Sequence, residues 1–129
     1  MENVAVQTKF EAEVNPTAKK KGSVRIAKGH PASPGVSIGP CRVIAKREDL
    51  RTVKKDEILV CRRAIRDLTS CMDQLKGLVT ETGGAGAFAA HYARECDVPF
   101  VAGVNDIMAS VTDGQIIRID GSKGTVSLL

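Results

Sequence analysis

The stretch "GLVTETGGAGAFAAHYARECDVPF", residues 77–100, constrains the fold more than any other part of the chain. A short apolar run, "GLVTE", reads as a strand and runs into a glycine-rich turn over residues 83–86. A small-residue helix then spans about residues 87–96. It must stop at Asp97-Val98-Pro99, because proline disfavours helix in the residue before it. Strand, turn and helix in that order require an α/β unit.

The rest of the chain extends the pattern. "SVRIAKG" reads as a short strand, followed by a Pro/Gly-rich turn from Pro31 to Gly35. Val36, Ile38, Val43 and Ala45 then mark two strands separated by a break at Gly39-Pro40. "KKDEILVCRR" is a polar turn feeding a buried strand. Over residues 64–75, Ile65, Leu68, Met72 and Leu75 recur at three- and four-residue spacing, which predicts a packing helix. "FVAGV" is a further buried strand and "NDIMASV" a short turn or helix. "TDGQIIRIDGSKGTVSLL" reads as a terminal hairpin.

With 129 residues this is one domain, too small to hold several catalytic modules. The formal charge is +4, but residues 1–28 hold six Lys/Arg against three Asp/Glu, so the body is nearly neutral. Residues 1–23 show no sustained period and are expected to form a flexible leader, with the domain over residues 24–129. The absence of Trp, with one Tyr and three Phe, argues against stacking-based nucleic-acid recognition. No apolar stretch approaches the ~20 residues of a membrane span. The four cysteines form no C-x-x-C pair and the two histidines have no zinc-finger spacing, so no metal site is expected. The cysteines are read as reduced, mostly buried thiols of a cytoplasmic protein.

The glycine turn carries the candidate chemistry. Where a strand feeds a helix N-terminus, unsatisfied N–H groups and the helix dipole favour an anion, and glycine lets the backbone approach it. The same turn is compatible with a purely structural role, since neither GxGxxG nor the P-loop lysine is present. His91 likewise has two readings: a packing or surface residue, or an imidazole able to take a phosphoryl group on a ring nitrogen.

"GHPASPGVSIGPCRVI", "VKKDEILVCR", "GLVTETGG", "AREC", "DVPFVAGV" and "TDGQIIRIDGSKGTV" together resemble the phosphohistidine swivelling, or mobile, domain of the PEP-utilising enzymes: phosphoenolpyruvate synthase, pyruvate phosphate dikinase and phosphotransferase-system enzyme I. The resemblance covers about residues 29–126. It implies a β/β/α sandwich that swings between an ATP-binding and a phosphoenolpyruvate-binding domain, carrying phosphoryl groups on a histidine. The family motif runs Gly-Gly-x-Thr-Ser-His-Ala-Ala, two apolar residues, then Ala-Arg-Glu. Gly83, Gly84, Ala89, Ala90 and Ala93-Arg94-Glu95 match it, whereas its Thr, Ser and His fall on Gly86, Ala87 and Phe88. Phenylalanine cannot accept a phosphoryl group.

The resemblance therefore implies a stand-alone mobile domain of a synthase-like phosphotransfer system. Separate ATP-binding and PEP-binding subunits would bring magnesium with ATP, or phosphoenolpyruvate; no cofactor is expected on this chain itself. His91 is the candidate displaced carrier, with Gly83, Gly84, Gly86 and Arg94 holding phosphoryl oxygens. The alternative is a non-catalytic relative kept for docking, regulation or anion binding. The segment Cys61 to Arg66 also replaces the family's Thr/Ser-x-Pro segment, placing Arg62 and Arg63 where phosphate, a partner's acidic surface or solvent could meet them.

Overall fold

Apolar runs too short for helices, flanked by glycine, proline and charge, form the strands of the computed structural model, which describes residues 25–83 and 88–129. The leader expected over residues 1–23 lies outside the described residues, as do Gly84 and Gly86. The strands are β1 (Arg25–Lys28), β2 (His30–Ser33), β3 (Val36–Ile44), β4 (Ile58–Cys61), β5 (Gly77–Thr80), β6 (Phe100–Ala102), β7 (Ile116–Asp120) and β8 (Thr125–Leu128). They form one eight-stranded mixed sheet in the order β1-β8-β7-β3-β4-β5-β6-β2.

β3, β4, β5 and β6 are parallel neighbours, and every other pairing is antiparallel. Every residue of β4, β5 and β6 is buried, as expected of parallel strands covered on both faces. Alternation splits their side chains between two cores. Leu59, Cys61, Leu78 and Phe100 pack with Leu68, Met72 and the alanines of helix α1 (Phe88–Glu95). Ile58, Val60, Val79 and Val101 pack with Ile117 and Ile119 of β7 and Val126 and Leu128 of β8. A second helix, α2 (Ile107–Ser110), adds Ile107 to that core. No helix among the described residues is long and apolar enough to cross a membrane.

Three local expectations are corrected. Residues 64–75 do not form one helix. They form 3-10 turns at Arg66–Ser70 and Met72–Gln74. The Thr69 and Ser70 hydroxyls donate to the carbonyls of Arg66 and Asp67, offering the backbone an alternative to the α-helical ladder. Leu68 and Met72 are buried all the same. The presumed turn from Pro31 to Gly35 contains the end of β2, which pairs with β6. The two strands read on either side of Gly39-Pro40 are one continuous strand, β3: residues 36–40 pair with β7, and residues 41–44 change partner to β4.

Candidate functional site at the carboxyl edge of the parallel strands

β3, β4, β5 and β6 end at Ile44, Cys61, Thr80 and Ala102, so the segments that follow them emerge on one edge of the sheet. Because β2 runs antiparallel to β6 with His30 opposite Ala102, His30 comes to the same edge. In open parallel sheets this carboxyl edge is where ligands bind.

The segment that leads into the glycine turn, Thr80 to Thr82, is fastened there by hydrogen bonds. The Arg62 carbonyl accepts from the Glu81 amide at 3.1 Å, the Thr82 amide at 2.9 Å and the Thr82 hydroxyl at 3.1 Å. Buried Thr80 donates its hydroxyl to the Thr82 carbonyl at 2.7 Å, and its own carbonyl accepts from Val104 N–H at 2.9 Å. Glu81 reaches the other way, its Oε2 accepting from Met108 N–H at 3.1 Å. Gly83 then takes φ +97°, in the left-handed region that favours glycine. A Cβ added there would meet nothing within 4 Å, so its backbone faces open space.

His30 belongs to this neighbourhood. A Cβ built on Gly103, itself at φ +70°, would lie 2.7 Å from His30 Cδ2, 3.3 Å from His30 Nε2 and 3.3 Å from the Gly83 carbonyl oxygen. The imidazole thus lies against Gly103 beside Gly83. Sequence reasoning missed it because His30 lies on a strand that was read as the approach to a turn.

Phe88, where the resemblance places the carrier, opens α1 and is half-buried against the core. The Arg66 guanidinium carbon sits 5.0 Å from its ring centroid, a cation–π contact. His91 lies one helical turn further, with its side chain 71% exposed. Its Nε2 is 3.3 Å from Glu95 Oε2 in an i,i+4 pair, directing the ring toward the helix C-terminus.

Arg94 occupies the last turn of α1 and donates from Nη1 to the Ala32 carbonyl at 2.7 Å, tying the helix to β2. Among the described residues, no group of three or more His, Cys, Asp or Glu side chains converges as metal ligands would.

At this edge Gly83 presents open backbone at positive φ. Of the two histidines, His30 lies at this edge beside Gly83, whereas His91 stands a turn along α1 with its ring directed toward the helix C-terminus.

The family described as PEP-utilising enzyme, mobile domain, matches residues 53–124. Phosphoenolpyruvate synthase of Aeropyrum pernix is 35% identical over 129 residues, which cover 97% of this chain but only 16% of that protein. Among solved structures, aconitase X of Thermococcus kodakaraensis shares the fold at a TM-score of 0.62 and 19% identity, covering 81% of this chain and 98% of its own. An enzyme I structure matches at a TM-score of 0.53 and 24% identity, covering 60% of this chain and 32% of its own. The chain spans about a sixth of the length of that synthase. With the family match running over more than half of its residues, this chain belongs to the mobile-domain family of the PEP-utilising enzymes.

Proposed function

We propose that the chain is a phosphoryl-shuttling module of a synthase-like phosphotransfer system, working with separate ATP-binding and PEP-binding partners, and that His91 is its carrier. The observation behind this reading is the exposed His91 imidazole on α1, oriented by Glu95. With Nε2–H donated to the Glu95 carboxylate, the Nδ1 lone pair is free to attack phosphorus. An N–P bond forms, the P–O bond to nucleotide or enolpyruvate breaks, and the leaving oxygen keeps the electron pair. The carboxylate stabilises the charged ring, and the exposed backbone at Gly83 holds phosphoryl oxygens. A module layered as antiparallel strands, parallel strands and helices would present this edge to either partner as a β/β/α sandwich swings. Magnesium and ATP, or phosphoenolpyruvate, would arrive on the partners.

A second reading is favoured by Phe88. The ring at the carrier position is packed on the core and under Arg66, as in a module that has kept its docking surface and lost the step.

Intact-mass measurement separates the two. Wild type, His91→Ala, His30→Ala and Phe88→His are incubated with extract of the source organism and either ATP with magnesium or phosphoenolpyruvate. The first reading expects an acid-labile gain of one phosphoryl group in wild type and His30→Ala, absent from His91→Ala. A gain confined to Phe88→His would establish the second, and loss of the gain in His30→Ala alone would move the carrier to β2.

A further inference from the structure

Beside the glycine turn, the exits of β3 and β4 enclose a cleft of about 380 Å³. Its floor is apolar: Leu68 is buried, and Leu50 and Ile65 are half-buried. Its rim is cationic, formed by Lys46 just after β3 and Arg62 and Arg63 just after β4, all three exposed. None of these three side chains has a hydrogen bond or ion pair among the described residues. Arg47 also lines the cleft but is neutralised by Asp67, its Nε donating to Oδ2 at 2.5 Å. Of the other carboxylates nearby, Asp49 accepts from the Lys46 backbone N–H at 3.3 Å, Glu81 accepts from Met108 N–H at 3.1 Å, and Glu48 lies beside Arg47. No carboxylate lines the cleft.

These properties select a ligand class. Small-molecule sites run from ~300 to ~1,000 Å³ and are mostly apolar with a few placed polar groups, so this cleft suits a ligand of one or two rings. Two adjacent arginines present planar forks that match phosphate oxygens, at the strand edge where α/β sheets bind ligands. A bare inorganic anion would leave the apolar floor wet, and a neutral apolar body would leave the cations unmatched.

We infer that this cleft is a binding site for a small organic phosphate, its ring body on Leu50, Ile65 and Leu68 and its phosphate between Lys46, Arg62 and Arg63. The site stands on these residues alone and does not depend on phosphoryl transfer at α1.

The test is an amide-resolved NMR titration of the full chain, at fixed ionic strength, with 1-naphthyl phosphate, 1-naphthol and inorganic phosphate. Naphthyl phosphate should bind at least ~10-fold more tightly than either of the others, the equivalent of one well-made charged contact. Its shifts should centre on Lys46, Leu50, Arg62 and Leu68. Arg62→Ala/Arg63→Ala should weaken it ~10-fold or more while leaving 1-naphthol unchanged, and Leu50→Gln should weaken both ring compounds. The spectrum of each variant reports whether it is folded. Equal affinity for naphthyl phosphate and inorganic phosphate, shifts centred on Gly83 and His30 instead, or unchanged affinity in the folded double-arginine variant would each overturn the inference.

Discussion

Gly121 follows β7, and a Cβ placed there would lie 1.8 Å from the Ser33 carbonyl oxygen and 3.1 Å from the Phe100 amide nitrogen. Both are backbone atoms of other strands, so relief means moving the sheet. Gly121→Ala is expected to cost about 3 kcal/mol or more, at the upper end of overpacking effects. Gly83→Ala meets no atom but must hold φ +97°, so a loss nearer ~1 kcal/mol is expected in urea unfolding. The need for glycine at residue 83 is legible in the sequence because it arises from the local turn. The need at residue 121 is not, since Ser33 is remote along the chain. The cysteines divide in the same way. All four are free, as the spacing indicates, but only the fold shows Cys41 and Cys61 buried and Cys71 and Cys96 half-buried. Burial, with smaller contributions from Cys71 and Glu81, pushes the Cys61 thiol up to about 12. Iodoacetamide at pH 8 should therefore label Cys71 and Cys96 in the native protein well before Cys61, as peptide mapping would register.

Among the elements, α1 follows its sequence most closely. Ala89, Ala90 and Ala93 are fully buried, so small side chains let the helix sit close against the parallel strands. Ala90→Leu should cost about 1–3 kcal/mol by overpacking that contact, read as a lower thermal midpoint with α-helical circular dichroism retained before melting. The segment between β4 and β5 went the other way. Its apolar spacing foretells burial of Leu68 and Met72 correctly, yet the backbone is two 3-10 turns. Periodicity reports which side chains face the core. Hydroxyl-to-backbone bonds at Thr69 and Ser70 decided how the chain delivers them. β2 was hidden by Pro31 and Pro34, which signal a turn; pairing with β6 makes Pro31 tolerable at a sheet edge.

Across the whole molecule, Arg42 on β3 joins both halves of the sheet, pairing with Glu57 just ahead of β4 and, at 3.7 Å, with Asp113 ahead of β7. Arg42 on β3 donates from Nη2 to Glu57 Oε2 at 2.9 Å and from Nε to Oε1 at 3.2 Å, while the Lys54 amide donates to Oε1 at 2.8 Å. The Arg42 hydrogen bonds hold the Glu57 carboxyl below the usual carboxylate range, overcoming burial, which pushes the other way. A depressed folded pKa means stabilisation that is complete above the ordinary glutamate value of ~4.3 and disappears as pH falls through the folded value. The thermal midpoint should thus decline as pH drops below about 4.3, and Glu57→Gln should be less stable at neutral pH with a shallower acid decline.

The sequence by itself determined most of the strands and helix α1, the α/β class and the family, because each rests on local pattern or on residues in fixed order. Only the tertiary structure decided that β3 would serve two partners and that His30 would come to rest beside Gly83. It also decided that Lys46, Arg62 and Arg63 would ring one cleft. Those juxtapositions are set by strand order and register, which depend on how buried faces pair across the sheet and leave no mark in the spacing of any single segment.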